Sequence, residues 1–300
     1  FTDEEIDFIC RFVQDEARKM GKEEIEISEM HNIVEGALER VNPKVAKSYR
    51  DYRNYKQDFV QMLDEVYKKS QSIMYIGDKE NSNTDSALVS TKRSLIFNQL
   101  NKELYKKFFL TTEELQACRD GYIYIHDMSA RRDTMNCCLF DVQSVLQGGF
   151  EMGNLWYNEP KTLDVAFDVI GDIVLSAASQ QYGGFTVPSA DLILEPYAEK
   201  SYKYYIEKYK NIGLDEEKSK EIAMQDIQRD FEQGFQGWEY KFNSVSSSRG
   251  DYPFITVTIG TGTGRFAKMA SKTMLEVRKN GQGKKGHKKP VLFPKVVFLY

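Results

Sequence analysis

Residues 254–300 carry one pattern that leaves few folds open: two β-type runs separated by a glycine loop and an amphipathic helix. Phe254-Ile-Thr-Val-Thr-Ile259 is rich in β-branched residues and alternates polar with apolar side chains. Gly260-Thr-Gly262-Thr-Gly264 follows as a tight turn. Phe266, Met269, Ala270, Met274 and Val277 then recur at helical spacing. A loop rich in Gly and Lys leads to a second apolar run, Val291-Leu-Phe-Pro-Lys-Val-Val-Phe-Leu-Tyr300. Strand, helix and strand in that order need a crossover, hence two parallel strands of one sheet. Helices cover such sheets, so the class is α/β. The closing run reads as a strand buried on both faces. A buried strand as the last element leads us to expect a chain that is part of a longer protein.

Upstream, the first 70 residues read as helices. Ile6, Ile9, Phe12, Val13 and Ala17 share one face, and Gly21 is a stop signal. Ser28 is a candidate N-cap for a second helix, and Asn42-Pro43 places a cap before a first-position proline for a third, running through Val66. Residues 77–90 carry turn chemistry, and helix is expected again near 91–108. Gly121-Tyr-Ile-Tyr-Ile-His126-Asp127 reads as a short strand ending in polar groups. Residues 161–180 present a long apolar face, expected to be a buried helix that ends at Gln180-Gln181-Tyr182-Gly183-Gly184. Residues 196–237 are charged, Tyr-rich and helical.

Composition removes several function classes. Forty-one Lys and Arg against 45 Asp and Glu give a net charge of −4, which excludes a globally basic nucleic-acid binder. No apolar run reaches the roughly 18 residues of a membrane helix. The acidic start, FTDEEIDFICRFV, lacks the basic region of an export signal. Four Cys are too few for a disulfide scaffold, so a cytoplasmic, reducing compartment is expected. Three dispersed His and no CxxC pair give no expectation of metal within these residues.

Three places could carry chemistry. Cys137 and Cys138 are adjacent, so on an extended segment they face opposite sides of a sheet. Either both are small core residues, or one lines a pocket as a redox or radical partner beside Asn136 and His126. Gly260, Gly262 and Gly264 stand between a strand and a helix, where backbone N–H groups can hold a phosphate; a plain tight turn is the alternative. The string is neither GxGxxG nor a P-loop. Arg278, Lys279, Lys284, Lys285, Lys288 and Lys289 form either a solvated loop or a phosphate clamp.

Six strings, in this order, resemble the N-terminal half of the anaerobic, class III ribonucleotide reductases. They are NSNTDSALVSTKRSL (81–95), GYIYIHD (121–127), MNCCLFD (135–141), SQQYGGFTVPSADLILEPY (179–197), PFITVTIGTGTG (253–264) and FPKVVF (293–298). Before them, ISEMHNIVEGALERVNPKVAKSYRDYR (27–53) is similar to the end of an ATP-cone, without the basic β-hairpin that opens one. The resemblance divides the chain into a partial ATP-cone at 1–55 and the first half of the reductase at 56–300.

The resemblance implies a ten-stranded α/β barrel of two parallel five-stranded halves, of which this chain holds the first. It implies reduction of ribonucleoside triphosphates to 2′-deoxyribonucleotides by glycyl and thiyl radicals, under control of ATP, dATP and other deoxynucleotide effectors. The family pattern maps the hydrogen-donating cysteine onto Cys137, directly after Asn136. His126, Asn136, Gly260, Gly262 and Gly264 are then expected near substrate. The thiyl-bearing Cys, the radical Gly and a zinc site are expected beyond residue 300. A radical-SAM iron–sulfur activating enzyme and a second copy of the chain, in a homodimer, are the implied partners; nucleic acid and membrane are not. Many members carry His-x-His-Asp where this chain has Tyr124-Ile125-His126-Asp127, which leaves open whether formate or a small redoxin is the reductant. A nucleotide-sensing module and a glycyl-radical enzyme with another substrate are the competing readings.

Overall fold

The computed structural model describes residues 1–76, 88–131, 134–246 and 251–300. The chain divides into two compact units, Phe1–Lys69 and Ser70–Tyr300.

The first unit is helical, as its periodicity predicts. α1 (Asp3–Lys19) opens on a capping box in which Glu5 N donates to Thr2 Oγ1 and Thr2 N donates to Glu5 Oε2. α2 (Ile27–Val41) begins earlier than the Ser28 cap predicts. Glu29 already accepts the Glu26 N–H at 3.3 Å, so the first turn closes on Glu26. α3 (Pro43–Ile76) starts as expected, with Asn42 Oδ1 accepting from Lys44 N at 3.1 Å. Ala37 and Leu38 of α2 and Ala46 of α3 are buried. Glu35 ties them from outside by pairing with Arg50 and, at 3.1 Å, with Arg53.

In the second unit, α4 (Val89–Phe109) and α5 (Thr112–Arg119) precede a 3-10 turn at Met128–Ala130. The turn chemistry read at 77–90 falls mostly outside the described residues. Then come β1 (Cys138–Leu139), α6 (Val142–Leu146), the antiparallel pair β2 (Phe150–Met152) and β3 (Leu155–Tyr157), and α7 (Leu163–Ser179). β4 (Phe185–Val187), α8 (Ala190–Asn211), α9 (Glu216–Ser244), β5 (Ile255–Ile259), α10 (Arg265–Asn280) and β6 (Lys295–Phe298) complete it.

β1, β4, β5 and β6 form one sheet in that order, with every pair parallel, so the fold is α/β. The strand–helix–strand unit of the last residues is present as β5–α10–β6. Phe185, Val187, Ile255, Val257 and Ile259 point to one face and are buried with α7, α8, α9 and α10. Phe167 of α7 anchors that layer: its ring meets Phe235 and Trp238 edge-on, and its carbonyl accepts from Trp238 Nε1 at 2.9 Å. Leu139, Thr186, Thr256 and Lys295 lie in one row across the opposite face, by register.

Two strand expectations need correction. Residues 121–127 are not a strand. Tyr122 N and Ile123 N bond back to Ala117 O, which closes α5, and Tyr122 and Tyr124 stand exposed, with no strand among the described residues to pair them. β-Propensity without a ladder partner does not make a strand. The described sheet therefore has four strands. Among the described residues β6 is not buried on both faces either: it is the last strand of the described sheet, with Val297 and Phe298 exposed.

Candidate active site

Asn136 and Cys137 lie directly before β1, in a segment zipped to residues 181–184. Met135 and Gln181 form a parallel bridge, Gly183 N donates to Asn136 O at 2.5 Å, and Cys138 N donates to Gly184 O at 3.0 Å. Strand alternation separates the two thiols as the sequence predicts. Cys137 is exposed on the same side as Met135 and Leu139, and its Sγ accepts from Gly184 N at 3.2 Å. Cys138 packs against the core, and its thiol donates to Gln181 Oε1 at 2.9 Å. Burial, with a smaller contribution from neighbouring Cys137, raises the Cys138 pKa above that of an ordinary thiol.

Gly183 makes this approach possible. A Cβ there would stand 2.7 Å from Cys137 Sγ and 2.6 Å from Asn136 O, closer than atoms pack. The sulfur thus rests on bare backbone. The cavity behind Gly183, between Leu175, Ala178, Pro253 and Phe254, holds only about 40 Å³. A pocket for a drug-sized ligand takes several hundred, so this cavity is too small for one.

The other candidate residues are placed elsewhere. His126 is exposed on the turn before Met128–Ala130, where its Nδ1 pairs with Asp127 Oδ2 at 2.5 Å and its ring meets Tyr124 edge-on. Gly260, Gly262 and Gly264 lie at the far end of β5, about 20 Å from the Cys137 end at ~3.3 Å per residue. The glycine loop is already occupied by the chain's own carboxylates. Asp191 Oδ2, fully buried, accepts from Gly260 N at 3.0 Å, Gly262 N at 2.8 Å and Ser271 Oγ at 3.3 Å. Glu195 Oε1 accepts from Ala267 N at 3.4 Å in the first turn of α10. Carboxylates at a helix N-terminus satisfy amides that could otherwise attract an anion, and here they brace the turn.

The basic stretch also divides. Arg278 is structural: it pairs with buried Glu239 at 3.2 Å and donates to the carbonyl of Val291 at 3.2 Å. Burial lowers its pKa, and Glu239 opposes that. Lys284, Lys285, Lys288 and Lys289 are exposed on a loop closed by the Gln282–Lys289 bridge. Among the described residues, no group of three His, Cys, Asp or Glu is placed to hold a metal ion. Gln181, Gly183, Asp191 and Glu195 escaped the sequence reading. The Gly183-Gly184 pair carried a signal, read only as a helix end, whereas nothing local marks Asp191 as buried.

The chain has recognisable sequence relatives. A family model described as anaerobic ribonucleoside-triphosphate reductase covers residues 80–300, and an ATP cone domain covers residues 1–58. The chain belongs to the anaerobic ribonucleoside-triphosphate reductase family. The enzyme of that name from Enterobacteria phage T4 is 34% identical over 222 residues, 73% of this chain and 36% of that protein. The one from Haemophilus influenzae is 30% identical over 282 residues, 92% of this chain and 39% of that protein. The chain thus spans under half the length of these relatives. The crystal structure of the Thermotoga maritima anaerobic ribonucleotide reductase with dATP and CTP is similar at 14% identity and a TM-score of 0.46, covering 74% of this chain and 40% of that one. No described helix is long and apolar enough to cross a membrane.

Proposed function

We propose that this chain takes part in the reduction of ribonucleoside triphosphates to 2′-deoxyribonucleotides, with Cys137 as the thiol that supplies hydrogen at C2′. One observation carries the reading: of two adjacent thiols, the one after Asn136 is exposed on the open sheet face and rests on the Gly183-Gly184 backbone. A glycyl radical outside these residues would provide the radical that activates substrate at C3′. Cys137 then delivers its hydrogen to C2′, the 2′-hydroxyl takes up a proton from solvent and leaves as water, and formate or a redoxin supplies the two electrons and the proton that restores the thiol. Asn136 and His126 are proposed on the substrate side. Gly260, Gly262 and Gly264 are proposed on the substrate side at the far end of the site, in a turn whose Gly260 and Gly262 amides donate to Asp191.

The strands are proposed as part of a half-barrel, and the domains as an ATP-cone at 1–55 and a reductase half at 56–300. The cone is proposed to bind ATP or dATP as effector, an assignment supported by its family match. The proposed partners are a radical-SAM activating enzyme and a second copy of the chain, in the cytoplasm. The test is Cys137→Ser in the complete protein: deoxynucleotide formation should be lost while a glycyl radical still forms. Deoxynucleotide formation at the parent rate would reject the role of Cys137.

A further inference from the structure

The side chain of Gln181 has no part in the function proposed above, yet it is 3% exposed and both ends of its amide are engaged. Oε1 accepts from the Cys138 thiol at 2.9 Å, and Nε2 donates to Gly183 O at 3.3 Å. Its backbone is the bridge partner of Met135. One residue therefore fastens the segment that carries both thiols to the glycine segment on which one of them rests.

We propose that Gln181 is a positioning residue that decides which of the two adjacent thiols is presented to chemistry. It does so with two bonds of opposite polarity. The acceptor end holds Cys138 as a hydrogen-bonded thiol against the core. The donor end holds the Gly183 carbonyl, and with it the next amide, Gly184 N–H, which points at Cys137 Sγ. A buried amide offers an acceptor and a donor on one rigid plane, which neither a carboxylate nor an apolar side chain does. Releasing the Gly183 carbonyl frees the peptide that follows it. Cys137 Sγ then loses the amide donor that holds it in place, and Cys138, freed from its acceptor, can swing out. The inference rests on Cys137 being the working thiol, but it concerns which sulfur is accessible and reactive, a property measurable without turnover.

The test is alkylation of the folded chain by iodoacetamide, read thiol by thiol by mass spectrometry, with exposed Cys10 as internal reference. Cys137 should react at least tenfold faster than Cys138 in the parent. In Gln181→Met, which keeps the volume and loses both bonds, Cys138 should accelerate at least fivefold and Cys137 slow at least threefold, with Cys10 unchanged. Gln181→Glu keeps an acceptor for Cys138 and loses the donor to Gly183. There Cys137 should slow while Cys138 stays protected, and this variant decides the matter if the first fails to fold. A Cys137-to-Cys138 rate ratio within twofold of the parent in the folded variants overturns the proposal. So does a parallel rise at all four cysteines, which would mean general loosening. Failure of Cys137→Ser to stop turnover would reject the proposed function and leave this ratio untouched.

Discussion

A thiol that gives hydrogen to a substrate radical must be reachable by that substrate and held still by its surroundings. Cys137 meets both conditions and Cys138 only the second. In the complete protein, Cys138→Ser should keep most of the deoxynucleotide formation that Cys137→Ser abolishes, because a serine hydroxyl can still donate to Gln181. The reverse pattern would show that the strand register is wrong by one residue. Gly183→Ala inserts a methyl 2.6 Å from Asn136 O, a backbone atom that cannot swing aside, and 2.7 Å from Cys137 Sγ. We expect it to destabilise the chain by about 1–3 kcal/mol, the usual cost of overpacking, measured by urea unfolding. The presence of the Asn-Cys-Cys-Leu string was legible in the sequence, and alternation correctly sent the thiols to opposite faces. That Gly183 lies under the sulfur was not, because a contact between residues 137 and 183 has no local signature.

At the scale of elements, the turns after β4 and β5 are joined through Asp191. Asp191→Ala would leave Gly260 N, Gly262 N and Ser271 Oγ–H without their buried acceptor. Each such loss costs about 1–3 kcal/mol, so a fall of several-fold or more in the folded-to-unfolded ratio is expected in urea titration. The α8–α9 contact makes a pH prediction. Asp230 is half-buried and accepts from Tyr205 OH at 2.9 Å. Burial, reinforced by Asp164 and Asp226 and opposed by that hydrogen bond, raises its pKa above the ordinary carboxylate value. The folded state then binds the proton more tightly than the unfolded state, so this residue's contribution to stability falls as pH rises through that interval. Asp230→Asn should gain more stability at pH 7 than at pH 3, and an equal change at both pH values would refute the assignment. Helices were legible because their apolar faces recur over many residues, as α7 and α10 show. The short run at residues 121–127 was misread because strand formation depends on a neighbour that no local pattern reports.

At the scale of the whole molecule, the two units carry separable expectations. In the complete protein, deleting the region up to Tyr52 should remove inhibition by dATP and leave turnover in place. Inhibition that persists would put the activity-controlling site outside the ATP cone match at residues 1–58. The parallel sheet was legible from its last unit alone, because strand–glycine–helix–strand admits only a crossover. The strand order β1-β4-β5-β6 was not, since it depends on which distant segments find each other. The braced glycine loop is the sharpest difference between the two views. Its spacing and context read as a phosphate site or a tight turn, and the bracing by Asp191 and Glu195, about 70 residues earlier, could not be read locally.

The exposed edge of β6 has a practical consequence for anyone handling these 300 residues. An open strand edge is a template on which another chain can add its own strand, and natural proteins guard such edges with outward charges, lysine above all. The one lysine of β6, Lys295, lies instead over the Phe254 ring, 4.0 Å from its centre, leaving Val297 and Phe298 unguarded. Concentrated solutions of the chain should therefore turn turbid with time, and a charge at Val297, as in Val297→Lys, should keep them clear.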